Sequence, residues 1–209
     1  MLDLPEYVQL LAALLAITNP LGKIPVFTAL TGHHSVADKH RVGLIAATAV
    51  VVILLVSFFL GELVLRALGI TIPAFRIAGG ILLLLSALAM MSGDAGAPPV
   101  AGSTPHGDPA AVAVVPLATP LLAGPGAIST VIVYAHRHAS LAHAILVVAA
   151  IVSVGVVILV VFRLAPLLAS VLRRTGMNVA SRLTGLIIAA TAVEFIVDGI
   201  AVLFPGLLK

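Results

Sequence analysis

Apolar runs long enough to cross a bilayer, separated by short polar clusters, fill almost the whole chain. A membrane helix needs about 20 consecutive apolar residues, and the pattern predicts six such spans. They cover residues 5–31, 42–65, 73–91, 110–134, 142–162 and 179–204. Within the second, Thr48 and Ser57 are the only polar side chains between Val42 and Leu60. Pro73 stands where a proline is tolerated, at the opening of the third. Polar clusters at 33–41, 69–73 and 136–138 and a basic stretch at 163–176 mark the turns.

Two of these runs cannot be continuous helices. The fourth contains Pro116-Leu-Ala-Thr-Pro-Leu-Leu-Ala-Gly-Pro-Gly-Ala-Ile-Ser-Thr130, with three prolines and two glycines. Proline removes a backbone donor and clashes with the preceding turn, so the helix is expected to break around residues 119–126. The first run holds a similar stretch, Thr18-Asn-Pro-Leu-Gly-Lys-Ile-Pro-Val-Phe27. Pro20 and Pro25 match Pro120 and Pro125 at an offset of 100, and Arg76-Ile-Ala-Gly-Gly-Ile81 parallels Arg182-Leu-Thr-Gly-Leu-Ile187 at an offset of 106. Repeated halves of three spans each enter the membrane from opposite sides. Paired interruptions in such halves point to a transporter's binding site. The expected fold is therefore all-α and transmembrane: two inverted three-helix repeats, with the first and fourth helices discontinuous. The expected organisation is a single membrane domain over 1–209, with repeats at 1–92 and 110–209. Residues 93–109, rich in glycine and proline, form the linker.

Composition narrows the class. Of 209 residues, 61% are hydrophobic and 9% charged, with a mean hydropathy of +1.26; a soluble domain carries roughly 25% charged residues. Six spans and short loops leave no sequence for a separate catalytic domain. The formal charge of +3 comes from only eleven Lys and Arg, scattered among loops and span ends. That excludes nucleic acid and fits anionic headgroups of the lipid bilayer. Cysteine is absent, so thiol chemistry and disulfides are excluded. Asp3 and Glu6 precede any cation, whereas a cleavable signal peptide begins with one. The N-terminus is thus expected to be retained as part of the first span. Lys39, Arg41, Arg173 and Arg174 fall on one face and Arg66, Arg137 and Lys209 on the other. The positive-inside rule then puts both termini outside.

The candidate chemistry lies at the two breaks. A helix stopping inside the membrane leaves free carbonyls, and one restarting there leaves free N–H groups. A zwitterionic amino acid complements both. Gly124 and Gly126 allow close approach of backbone to ligand, while Asn19, Thr119, Ser129 and Thr130 offer neutral hydrogen bonds. Lys23, between the prolines of the first break, either counters a carboxylate, senses a coupling ion or snorkels to the interface. Glu194 and Asp198, four apart, share one helical face. Acids at such depth are costly and often relay protons, so both are candidates for ion coupling. Arg76 and Arg182 are read as interfacial anchors. The seven histidines (His33, His34, His40, His106, His136, His138 and His143) are read as loop residues without metal-ligand spacing. No metalloprotease, nucleophile-elbow or phosphate-loop motif occurs. The chain is therefore expected to be neither an enzyme nor a cofactor or metal carrier. The competing expectation is proline-kinked helices packed through small residues.

Ala74-Phe-Arg-Ile-Ala-Gly-Gly-Ile-Leu-Leu83, Asn19-Pro-Leu-Gly-Lys-Ile-Pro25, the 116–130 segment and Ala192-Val-Glu-Phe-Ile-Val-Asp-Gly199 resemble the MarC (UPF0056-type) family of six-span membrane proteins. The resemblance covers the whole chain and is most specific at 116–130. It implies kinship with SnatA-type transporters of glycine and other small neutral amino acids, driven by a cation gradient, with substrate held at two unwound helices. By that resemblance the site carries over to Asn19, Pro20, Gly22 and Pro25, and to Thr119, Gly124, Pro125 and Gly126. Lys23 and Thr119 depart from the family pattern, which favours a neutral and an apolar residue there. The resulting expectation is a bacterial inner-membrane symporter of small neutral amino acids such as glycine or alanine, coupled to protons or sodium, and compatible with a homo-oligomer. It predicts a small polar cavity between the first and fourth spans. A non-transporting membrane partner would instead have its small residues filled by neighbouring side chains, and a metabolite exporter is a third reading.

Overall fold

The computed structural model describes residues 4–32, 34–92, 118, 122–135 and 140–205. The linker at 93–109 and the predicted site residue Thr119 lie outside them, as do His33, His136 and His138. Among the described residues every regular element is a helix: α1 (Leu4–Thr18), α2 (Ile24–Thr31), α3 (Val36–Ala67), α4 (Ile72–Ser92), α5 (Pro125–Ala135), α6 (Leu141–Arg163) and α7 (Ala165–Leu203). Four stretches are long and apolar enough to cross a membrane: α3, α4, α6 and the Arg182–Leu203 part of α7. The other apolar helices are shorter.

Local chemistry sets the boundaries. Ser35 caps α3, its hydroxyl accepting from the Asp38 amide at 3.2 Å, so the helix starts inside the stretch read above as a polar loop. Ser140 caps α6 in the same way, accepting from the His143 amide at 3.2 Å. The basic stretch 163–176, expected to be a turn, is corrected more fully: α7 is one helix of 39 residues. Pro166 sits at its first turn, where the missing N–H has no intrahelical partner to lose. At 1.5 Å per residue the helix is about 58 Å long, roughly twice a hydrocarbon core.

Among the described residues α4 and α7 form the most extensive pairing, and they run antiparallel. A Cβ built on Gly199 would stand 2.9 Å from the Pro73 carbonyl oxygen, one on Gly80 2.9 Å from that of Ala192, and one on Gly185 3.1 Å from that of Ala87. The contacts step by seven residues along both helices, and the glycine comes alternately from α7, α4 and α7. Only glycine leaves room for backbones to approach this closely. α3 and α6 are also antiparallel, through Gly43 against Phe162 and Gly155 against Val51.

α1 and α2 together follow α6 from end to end. Tyr7 meets His143 in the first turn of α6, and Phe27 stacks on Phe162 in its last, with ring centroids 4.4 Å apart. The main core gathers Leu10, Leu14, Ile24, Phe27, Leu54, Leu122, Ala127, Val131 and Ile151 between these helices. Outward-facing leucines and valines such as Val52, Leu63, Leu85, Val156 and Leu186 are exposed, which fits a protein whose solvent is lipid.

Candidate functional site

The first break occupies residues 19–23. Asn19 adopts φ 41°, a left-handed conformation in which asparagine is among the few tolerated side chains. Its amide closes the last turn of α1 on the Leu15 carbonyl at 2.9 Å. Its side-chain oxygen then accepts from the Gly22 amide at 3.1 Å. Two short turn bonds, Lys23 N–H to Pro20 O and Ile24 N–H to Leu21 O, carry the chain into α2. Pro25 falls in the first helical turn rather than in the break. Thr18 is buried and donates back to the Leu14 carbonyl at 2.8 Å. Asn19 and Pro20 are buried, Gly22 and Lys23 half-buried, and Pro25 is exposed.

The second break is built differently. The Ala123 amide donates to the Ala118 carbonyl at 2.9 Å, a five-residue reach that marks a wide, π-type turn. Helix α5 restarts at Pro125, with the Ala127 and Ile128 amides closing on the Gly124 carbonyl. Gly126 is buried, and a side chain there would collide with Leu83 of α4 and touch Ile17 of α1. Ser129 and Thr130 are fully buried, and both hydroxyls donate to the Gly126 carbonyl, at 3.0 and 2.8 Å. Ser129 also fills the space beside Gly79 of α4. Gly124 is half-buried and Pro125 exposed.

The breaks approach each other through Ile17 and Gly126, one residue before Thr18 and one after Pro125. In this packed arrangement the hydroxyls of Thr18, Ser129 and Thr130 and the Asn19 side-chain oxygen Oδ1 are bonded within their own segments.

Both candidate acids of α7 are exposed. Asp198 faces outward, 57% exposed, and accepts from Arg76 Nη1 at 3.2 Å. Arg76 is far more covered at 17%. Its guanidinium lies 5.6 Å from the Phe195 ring centroid, and its Nε is buried without a partner. The pair borders an open groove of about 430 Å³ lined by Ile72, Pro73, Val133 and Val202. Glu194 is exposed. Arg182, the sequence match of Arg76, is exposed as well.

Sequence reasoning missed one constellation. His143, counted above with the loop histidines, is only 1% exposed inside α6. Its Nδ1 lies 2.8 Å from the Tyr7 hydroxyl and its Nε2 2.8 Å from the Tyr134 carbonyl oxygen. The signal available was Ser140-Leu-Ala-His143, which caps a helix and so places the histidine within it. Tyr7, 136 positions away, could not be read from spacing. Among the described residues no cluster of three metal-ligating side chains occurs.

A family model described as MarC family integral membrane protein matches residues 4–204. The chain is 42% identical to the UPF0056 membrane protein YhcE of Escherichia coli (strain K12) over 210 residues, covering 99% of this chain and 97% of the relative. It is 37% identical to a UPF0056 membrane protein of Aquifex aeolicus over 202 residues, 93% of this chain and 92% of that one. With a UPF0056 membrane protein of Methanocaldococcus jannaschii it shares 35% identity over 204 residues, 95% and 98% of the two chains. No solved structure matches the chain.

Proposed function

The chain belongs to the MarC family of integral membrane proteins, and from that premise we propose that it is a secondary transporter of small neutral amino acids such as glycine or alanine. In this reading it resides in the bacterial inner membrane, has no enzymatic activity and draws on a proton or sodium gradient. α1 with α2 is the first span, and α5 completes the fourth. Both termini lie on the outer face, and two inverted three-span halves alternate the access of a shared site.

The observation that carries the reading is the meeting of two matched helix breaks beside small residues, with α1 and α2 together as long as α6. The inverted repeat is supported by reciprocal contacts. The pairings of the first broken span with α6 and α7 are mirrored by those of α5 with α3 and α4. At the site, backbone groups of residues 19–23 and 122–124 would take the carboxylate and ammonium of the substrate, and Asn19, Ser129 and Thr130 would add neutral hydrogen bonds.

Uptake of labelled glycine and alanine into proteoliposomes, under imposed proton or sodium gradients, tests the reading. Uptake is expected in the native protein and its loss in Gly124→Leu with the fold retained. Absence of uptake under both gradients favours the second reading, a non-transporting membrane partner. One observation speaks for that alternative: Leu83 and Ile17 already occupy the space beside Gly126.

A further inference from the structure

The groove beside Arg76 and Asp198 lies where three helices end together, and the substrate site assigns it no task. Arg76 stands in the opening turns of α4, Asp198 five residues before the end of α7, and Val133 two residues before the end of α5. With 21 residues α4 is about 31 Å long, close to the roughly 30 Å of a hydrocarbon core. Its opening turns therefore lie near the boundary between hydrocarbon and headgroups. Ionic groups recur at this level. Glu62 and Arg66 pair beside a second open groove, of about 330 Å³, which shares Ile72 with the first.

We propose that the groove of about 430 Å³ binds a phospholipid with an ethanolamine headgroup. The lipid phosphate bonds to Arg76, its ammonium to Asp198, and the start of an acyl chain covers Ile72, Pro73, Val133 and Val202. This goes beyond the transporter reading and does not depend on it.

The donors and acceptors fit such a headgroup. A guanidinium carries five N–H donors. Among the described residues that of Arg76 makes one hydrogen bond, from Nη1 to Asp198 Oδ2 at 3.2 Å, and its Nε is buried without a partner. The Phe195 ring, 5.6 Å from the guanidinium, holds the cation without taking any donor. Phosphate oxygens match the fork of an arginine. The Asp198 carboxylate, 57% exposed, accepts that single bond and has room for an ammonium donor. Cation and acid side by side complement a zwitterion whose charges run the opposite way. Around them the lining is apolar and open to the outside of the bundle, where lipid is the solvent. A free amino acid carries the same two charges but nothing to cover the four apolar side chains. A choline headgroup keeps both charges but has no N–H to donate to Asp198, and a glycerol headgroup has the phosphate without the cation.

The chain contains no tryptophan, which permits a local reporter. Phe204→Trp, two residues past Val202 at an exposed position, places one beside the groove, and Phe59→Trp, exposed on α3, serves as the reference. Each variant is reconstituted in phosphatidylcholine vesicles that contain a minor fraction of lipid with brominated acyl chains, which quench tryptophan on contact. Brominated phosphatidylethanolamine is expected to quench Phe204→Trp severalfold more than the reference. Brominated phosphatidylglycerol and phosphatidylcholine should exceed the reference far less. Asp198→Asn, at a largely exposed position, should erase the preference for ethanolamine over glycerol, and Arg76→Gln should bring all three lipids to the reference level. Arg76→Lys keeps the charge without the fork and should retain the preference at weaker quenching. Equal quenching by the three headgroups overturns the proposal, as does an ethanolamine preference that survives Asp198→Asn. Neither readout involves transport, so failure here leaves the transporter reading standing.

Discussion

The two helix breaks differ in what holds them. The first is written locally: Asn19 supplies both the left-handed backbone and the side chain that captures the Gly22 amide, all within four residues. The second runs into a helix start packed against a neighbour, where Leu83 of α4 leaves room only for glycine at 126 and Ser129 lies against Gly79. A locally specified break keeps its shape while its surroundings move. One specified by neighbouring helices changes shape when they do. The helix start after the second break is therefore the part whose packing depends on α4.

The comparison can be broken experimentally, beginning with its strongest consequence. Gly126→Val should destabilise the protein by about 1–3 kcal/mol through overpacking, read as a lower unfolding temperature in detergent. Leu83→Ala in the same chain should recover most of the loss, since the clash is with that side chain. Asn19→Ala should cost about 2 kcal/mol, combining a left-handed non-glycine residue with loss of a capping bond. Asn19→Gly should cost less than half as much, and no substitution in α4 should rescue the alanine variant. Rescue there would mean that the first break also depends on its neighbours.

The matched arginines extend the contrast between halves at a smaller scale. Asp198→Asn should lower stability by no more than about 1 kcal/mol, because its carboxylate is largely exposed. Arg76→Gln should cost more, since it also removes the cation from the Phe195 ring. Arg182→Gln, at an exposed position, should stay within about 0.5 kcal/mol. The smallest effect is expected at Glu62→Gln, which breaks an exposed pair one helical turn apart on α3 and is worth about 0.3–0.5 kcal/mol. Equal effects at Arg76 and Arg182 would erase the asymmetry between the halves.

Much of this was legible in the residues. Pro20, inside an apolar run, announced the first interruption, because a missing amide hydrogen costs a bond in a helix interior. The apolar lengths announced α3, α4 and α6 for similar reasons, and residues 4–204 match the family that the motifs resembled. What stayed hidden depends on distance in space. Basic residues and Pro166 suggested a turn at 163–176, yet proline in a first turn opens a helix as readily as it ends one. Asp198 was visible as an acid in a span, but its partner Arg76 lies 122 positions away. Lys23 and Asn19 sat together in the sequence, and only the backbone angle of Asn19 separates a capping role from a ligand-binding one.

The sevenfold rhythm of α4 against α7 has a mechanical consequence. Three close approaches, each about 10.5 Å from the next along the axis, act on the two helices as pins act on a pair of beams. Sliding would drive each glycine's neighbours into the opposing carbonyl at all three points together, and prying one end apart loads the other two. The pair therefore resists sliding at three points at once, and α5 packs against its α4 side.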